Sequence, residues 1–310
     1  VKKLLLFIIL ACVLIPSFAF DTRFLHFLVR IGSAPAYAIK EDHELIYVRN
    51  QNQVWIYSTF NAWQPKLESS FYSVFPIEDL ETHDGNYLYL ASREPTNQIL
   101  PVDSLNAGTK IFFPCTILGD KMTREGATLY VADRFKGIDI VNIGGGSIRE
   151  ILATFSEKWG IRDFVANYPY IFALNDFGLV AVDISDQSNP RSIATNYQLN
   201  DATCLVKNGN TLWIGAGKNL LAFNVFNPEK PSLITQYRMT NDILNLDIKD
   251  NRLFVVQGRG GVKIMDVTNP LKATDLNAIQ TDYSVYDIAL ANDYVFLALG
   301  KDGWMIYEYR

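Results

Sequence analysis

Residues 126–143 read GATLYVADRFKGIDIVNI, and residues 251–268 read NRLFVVQGRGGVKIMDVT. Each has an apolar run with an aromatic, a short polar break containing glycine, and a second apolar run ending near Asp or Asn. Two β-prone runs around a turn signal read as a pair of antiparallel strands. The same pattern recurs along the chain. Its first run appears as LIYV around Tyr47, YLYLA around Tyr89, TLYVA around Tyr130 and PYIFA around Ile171. It then appears as TLWIG around Trp213, RLFVV around Phe254 and YVFLA around Phe296. Successive spacings are 42, 41, 41, 42, 41 and 42 residues. A register held within one residue over seven copies marks a repeat architecture.

The second runs are VWIYS (54–58), ILPVD (99–103), IDIVN (138–142), LVAVD (179–183), LLAFN (220–224), VKIMD (262–266) and WMIYE (304–308). Each ends on a polar residue. Asn189-Pro190, Asn227-Pro228 and Asn269-Pro270 follow three of them and set turns. Outer segments such as RSIATNYQL (191–199) and SLITQYRM (232–239) complete the unit, with inner segments such as ILNLDIKD (243–250) and SVYDIALAN (284–292). Four short strands in about 42 residues is the pattern of a β-propeller blade. The middle runs are continuously apolar, as expected of strands packed on both faces.

The expected fold is therefore all-β: a seven-bladed propeller of four-stranded antiparallel blades. The chain ends just after WMIYEY, a third strand without a fourth. RFLHFLVRIGS (23–33) lies where an outer strand would lie. Residues 23–32 are thus expected to complete the last blade and close the ring, covering its open edge.

TLYVADRFKGIDIVNI, PYIFALNDFGLVAVDIS and RLFVVQGRGGVKIMDVTNP resemble the LVIVD-repeat family of bacterial secreted and surface β-propellers. The resemblance extends over about 127–310. It is weaker in the first two units, where EPTNQ (94–98) replaces the glycine turn and Pro101 interrupts the second run. It implies a propeller, export and a binding role, and it supplies no catalytic residues.

The chain has 310 residues, enough to bury about 75% of its unfolded surface without staples. Hydrophobic residues at 49% and aromatics at 13% exclude disorder. The start, VKKLLLFIILACVLIPSFAF, has basic Lys2 and Lys3, an apolar run from Leu4 to Ile15, and small residues at Ser17 and Ala19. It reads as a signal peptide over 1–19, leaving one domain over 20–310. The run is short for a membrane span of ~20 residues, and an uncleaved anchor is the alternative. The initial Val reads as a non-ATG start in a bacterial gene. Ile9-Leu10-Ala11-Cys12 raises lipidation at Cys12. Bulky Leu10 and the apolar sequence that follows favour a plain hydrophobic-region residue instead. The expected location is periplasmic, cell-surface or secreted.

Without residues 1–19 there remain 26 Lys+Arg (28 less Lys2 and Lys3) against 33 Asp+Glu, a formal net charge of −7. Such a balance argues against nucleic acid as partner. Cys115 and Cys204 are three units apart and read as two free buried thiols. His26, His43 and His83 lack zinc spacing, and no HExxH or GxSxG occurs. Gly144 to Gly146 and Gly260-Gly261 read as turns, not phosphate cradles. Asp133, Asp176 and Asp302 lie in turns but form no calcium loop. No metal or cofactor is expected.

The turns between second and third strands carry Arg49, Arg93, Arg134 with Lys136, Lys218, Arg259 and Lys301; NDFG (175–178) is the exception. Turns entering the inner strands share that face and carry Asp79, Asp120, Glu157, Asp201, Asp242 and Asp282. The two sets either cancel as weak surface pairs or form a rim that steers an acidic partner. Phe135 and Trp159 would add aromatic anchors to such a rim. The expected function is non-enzymatic binding or scaffolding by a monomer, toward a protein or envelope component. The runner-up is an envelope hydrolase or lyase working with channel carboxylates, for which Asp247 and Asp287 are the candidates.

Overall fold

Val, Ile, Leu and aromatic side chains alternate across a strand, so a strand apolar at every position needs cover on both faces. A computed structural model of the chain supplies that cover. It describes residues 25–93, 97–101, 113–115, 119–144, 150–157, 160–196, 199 and 201–309. The expected signal peptide, Cys12, Trp159, Gly145 and Gly146 lie outside the described residues, as does the Cys115 side chain.

The described residues form β-strands and one short 3-10 turn, Pro270–Lys272. The inner strands are β2 (Ala38–Asp42), β6 (Asp79–His83), β10 (Lys121–Glu125), β14 (Asp163–Asn167), β18 (Ala202–Asn208), β22 (Asn245–Lys249) and β26 (Asp287–Ala291). The second strands are β3 (Leu45–Arg49), β7 (Tyr87–Ala91), β11 (Thr128–Asp133), β15 (Tyr170–Leu174), β19 (Thr211–Ala216), β23 (Arg252–Val256) and β27 (Tyr294–Ala298). The third are β4 (Gln53–Ser58), β8 (Asn97–Pro101), β12 (Gly137–Asn142), β16 (Leu179–Asp183), β20 (Asn219–Asn224), β24 (Val262–Asp266) and β28 (Trp304–Tyr309). The outer strands are β5 (Lys66–Tyr72), β9 (Phe113–Cys115), β13 (Glu150–Ser156), β17 (Arg191–Asn196), β21 (Ser232–Arg238), β25 (Thr274–Ile279) and β1 (Leu25–Ile31).

They pair into four-stranded antiparallel sheets, six in chain order from β2 to β25 and one ordered β1-β28-β27-β26. In that last sheet Leu25 pairs with Tyr309 and Ile31 with Trp304. Inner strands touch in the cyclic order β2, β6, β10, β14, β18, β22, β26 and back to β2. The fold is a β-propeller of four-stranded antiparallel blades.

The apolar core is divided between the sheets. Each buried cluster joins two consecutive sheets, as Phe172 and Leu179 do with Leu212 and Ile214. Another joins the sheet of Ile46 and Val48 to that of Phe296 and Trp304, and Val29 and Ile31 of β1 pack against it. Polar ties repeat at the same junctions. Gly258 and Val285 form an isolated bridge, and Gly300 and Ala36 form its counterpart with backbone bonds of 2.8 and 2.6 Å.

One turn needs glycine for a physical reason. A side chain at Gly303 (φ +92°) would place its Cβ 1.9 Å from the Ile31 oxygen of β1. At Gly261 the same atom would meet the Ile279 oxygen at 2.1 Å, and at Gly137 the Phe155 oxygen at 2.0 Å. Outer and third strands approach here too closely for any side chain, and β1 repeats the approach made by β25 and β13.

Candidate functional site: the charged face and the central channel

The turns of one face are set by the hairpins of the middle strands, so their charges stand at blade intervals. Their surroundings differ around the ring. Arg49 is half-buried; its guanidinium donates to the Ile77 oxygen at 2.9 Å and to the Glu78 oxygen. It fastens the loop entering β6. Arg93 donates to the Asp120 carboxylate and stands 3.6 Å from Glu78. Asp120 also accepts the Arg134 N–H at 3.0 Å and lies 3.8 Å from the Arg134 guanidinium. The Arg93 guanidinium is pushed further up by the Asp120 hydrogen bond. Lys136 donates to the buried Asp139 carboxylate at 2.7 Å. This arc of the rim is internally neutralised.

The opposite arc is not. Arg259, Lys301, Asp201, Asp242 and Asp282 are exposed and make no ion pair among the described residues. Lys218 is half-buried and also makes none. Beside them, the residues just before β2, β26 and β22 are Tyr37, Tyr286 and Leu244, each more than 40% exposed. Tyr37 and Tyr286 form an edge-to-face pair with centroids 5.3 Å apart. Phe135 is 83% exposed at the tip of its turn on the neutralised arc. Asp79, expected on the rim, instead lines the channel and accepts the Met122 N–H at 2.8 Å.

The channel is a cavity of about 340 Å³ walled by inner strands. Asp247 and Asp287 both line it, with Asp79, Asp163, Lys40 and Lys121. Most of these groups hold the ring together. Asp163 accepts the Leu205 N–H at 2.9 Å, and Asp287 accepts the Ile39 N–H at 2.9 Å. Each carboxylate thus bonds the inner strand of the next blade. Asp287 also receives the Asn245 amide. Lys40 bonds Glu81 at 2.5 Å, and Lys121 lies 3.8 Å from Asp163. Asp163 holds the Lys121 ammonium above its usual pKa. Burial raises the carboxyls of Asp163 and Asp287. Burial, aided by the nearby Asp287 charge, pushes Asp247 up to about 7.

Asp163, Lys40, Lys121, Glu81 and Asn245 escaped sequence reading. Their signal was a polar residue near the start of each inner strand at about 42-residue intervals, a position overshadowed by the stronger apolar runs. Cys204 is a free buried thiol pushed up to about 12, chiefly by burial. Among the described residues no three His, Cys, Asp or Glu are grouped to hold a metal ion, and no helix is long and apolar enough to cross a membrane.

The whole fold is similar to solved propellers at low identity. A structure of RRP9 WD40 repeats aligns with TM-score 0.73 and 11% identity, covering 92% of this chain and 97% of that one. A chain of a mitotic checkpoint complex aligns with TM-score 0.71 and 13% identity, covering 92% and 90%. PorZ, a bacterial surface component of the type-IX secretion system of Porphyromonas gingivalis, aligns with TM-score 0.63 and 13% identity; the match covers 92% of this chain and 39% of PorZ. No curated protein sequence matches the chain. Residues 165–197, running from β14 to just beyond β17, match the family model of the LVIVD repeat, and there the resemblance read from the residues holds.

Proposed function

We propose that this chain is an exported, non-enzymatic binding propeller that presents one arc of its rim to a protein partner. In this reading the sheets are seven blades of one ring, closed by β1, and residues 1–19 direct export. The LVIVD-repeat match and the propeller fold support a binding or scaffold role. The observation that carries the choice of surface is the asymmetry of the rim. Arg93, Asp120 and Arg134 satisfy one another, whereas Arg259, Lys301, Asp242 and Asp282 lie open beside Tyr37, Tyr286 and Leu244. Unpaired charges around exposed aromatic and apolar side chains are the makings of an interface rim and core.

The test uses residues 20–310 as bait in an envelope extract, beside a double variant Arg259→Glu/Lys301→Glu. The variant keeps every ion pair described above, so its melting should match the wild type. A partner retained by the wild type and lost by the folded variant supports the arc. Identical recovery by both baits refutes it. The alternative of carboxylate chemistry would rest on Asp247, a channel-lining carboxyl that burial pushes up to about 7. Turnover of glycoside or lactone substrates that Asp247→Asn abolishes would establish that reading instead.

A further inference from the structure

We propose that the central channel binds a small organic cation, an alkylamine or diamine, seated against Asp247 and Asp287 and entering past Tyr37 and Tyr286. The channel's own pairs leave one carboxylate over. Lys40 belongs to Glu81 and Lys121 to Asp163. Asp79, Asp163 and Asp287 each accept a backbone N–H from the next inner strand. Asp247 makes no such tie. Its Oδ1 accepts the N–H of its own neighbour, Ile248, at 2.7 Å. No ion pair reaches Asp247 among the described residues.

On β2, Lys40 reaches across to Glu81 of the next inner strand. At the corresponding register of β22 stands Asp247, and the next inner strand, β26, offers Ala289. By register, alanine stands at the position on β26 where an ammonium would complete the pattern. Ala38 and Ala289 both line the cavity and bring no more than a methyl group to its wall. The volume of about 340 Å³ equals roughly eleven waters at ~30 Å³ each. That suits a short amine rather than a folded segment.

Two tyrosines adjoin lining residues of the cavity in the chain. Tyr37 and Tyr286 immediately precede Ala38 and Asp287, and their rings pair at 5.3 Å while remaining 47% and 42% exposed. Aromatic faces attract ammonium groups, and the channel carboxylates would supply the charge pair. Burial, with the Asp287 charge, raises the Asp247 carboxyl. Groups acting on it are Asp287, Lys40 and Lys249. An arriving ammonium would displace its proton to solvent.

The experiment is isothermal titration of the protein spanning residues 20–310 with 1,4-diaminobutane at pH 7. Butane-1,4-diol serves as the neutral control and calcium chloride as the metal control. Titrations in two buffers of different ionisation enthalpy report proton release. The expected result is saturable diamine binding with proton release, no diol binding, and at least a tenfold loss in Asp247→Asn. Asp287→Asn risks the clasp to Ile39, so Asp247→Asn, which removes no tie between blades, is the deciding variant. No diamine binding by the folded wild type overturns the proposal. So does equal affinity in Asp247→Asn, equal binding of the diol, or calcium binding that excludes the diamine. The rim variant Arg259→Glu/Lys301→Glu should bind diamine normally, so this site and the proposed partner arc fail independently.

Discussion

Replacing Gly303 by alanine tests whether β1 is an integral strand of the sheet it joins. The added Cβ would lie 1.9 Å from the Ile31 oxygen and 2.9 Å from the Gly32 Cα, in a backbone with φ +92°. The left-handed conformation alone costs about 1–2 kcal/mol for a side chain. The overlap is with backbone, so β1 must shift, and the pairing of Ile31 with Trp304 is lost with it. Losing that hydrogen-bonded end and its packing adds about 2 kcal/mol. The total of about 3–4 kcal/mol corresponds to a drop in Tm of roughly 6–10 °C for a domain of this size. Gly261→Ala, which meets the Ile279 oxygen at 2.1 Å, should cost the same. Gly126→Ala, with φ +58° and open space around it, should cost only about 1 kcal/mol. Differential scanning calorimetry on the three variants decides the matter. If Gly303→Ala melts with the wild type while Gly261→Ala falls, β1 is not an integral strand of that sheet.

Asp247 sets a pH dependence. Its folded pKa of about 7 lies above the unfolded carboxylate value, so the folded state binds the proton more tightly. Stability therefore falls as pH rises from about 4 to 7, with the penalty complete above that window. The linkage ceiling is about 4 kcal/mol, and water in the channel should reduce it to about 1–2 kcal/mol. Asp247→Asn should raise the urea midpoint at pH 8 and leave it unchanged at pH 4. Arg49→Met should destabilise by about 2–3 kcal/mol in urea, because it orphans the Ile77 and Glu78 carbonyls. A loss below 0.5 kcal/mol would mean that those bonds carry little. Cys204 should resist iodoacetamide at pH 8 in the folded protein and react once unfolded, read by peptide mass mapping; rapid native labelling would contradict its burial.

The blade pattern was legible because it rests on burial, which strongly constrains residue type. Tyr47, Tyr89, Tyr130, Trp213, Phe254 and Phe296 are nearly inaccessible, and each stands at the centre of a run read from the sequence. Spacing led to the expectation of an outer strand over residues 23–32, and within that range Leu25–Ile31 pairs with β28. The rim was less legible. Charge at a turn says where a side chain begins and not where it ends. Arg49 turns inward to carbonyls, while Arg259 stays in water. The clasp aspartates were hidden for a related reason: Asp79 and Asp163 act on backbone N–H groups of the next blade, which carry no residue-specific signal.

The register of the last sheet bears on how the molecule responds to load. Leu25 sits opposite Tyr309, so the first and last described residues stand side by side, while Ile31 and Trp304 lie at the far end of the pair. Tension applied between the ends would open β1 from β28 one hydrogen bond at a time, as a zipper, rather than shear all of them together. A chain held at Leu25 and pulled at Tyr309 would yield first at this seam. Traction applied across the face through the turns of Arg259 and Lys301 would be shared by several sheets at once.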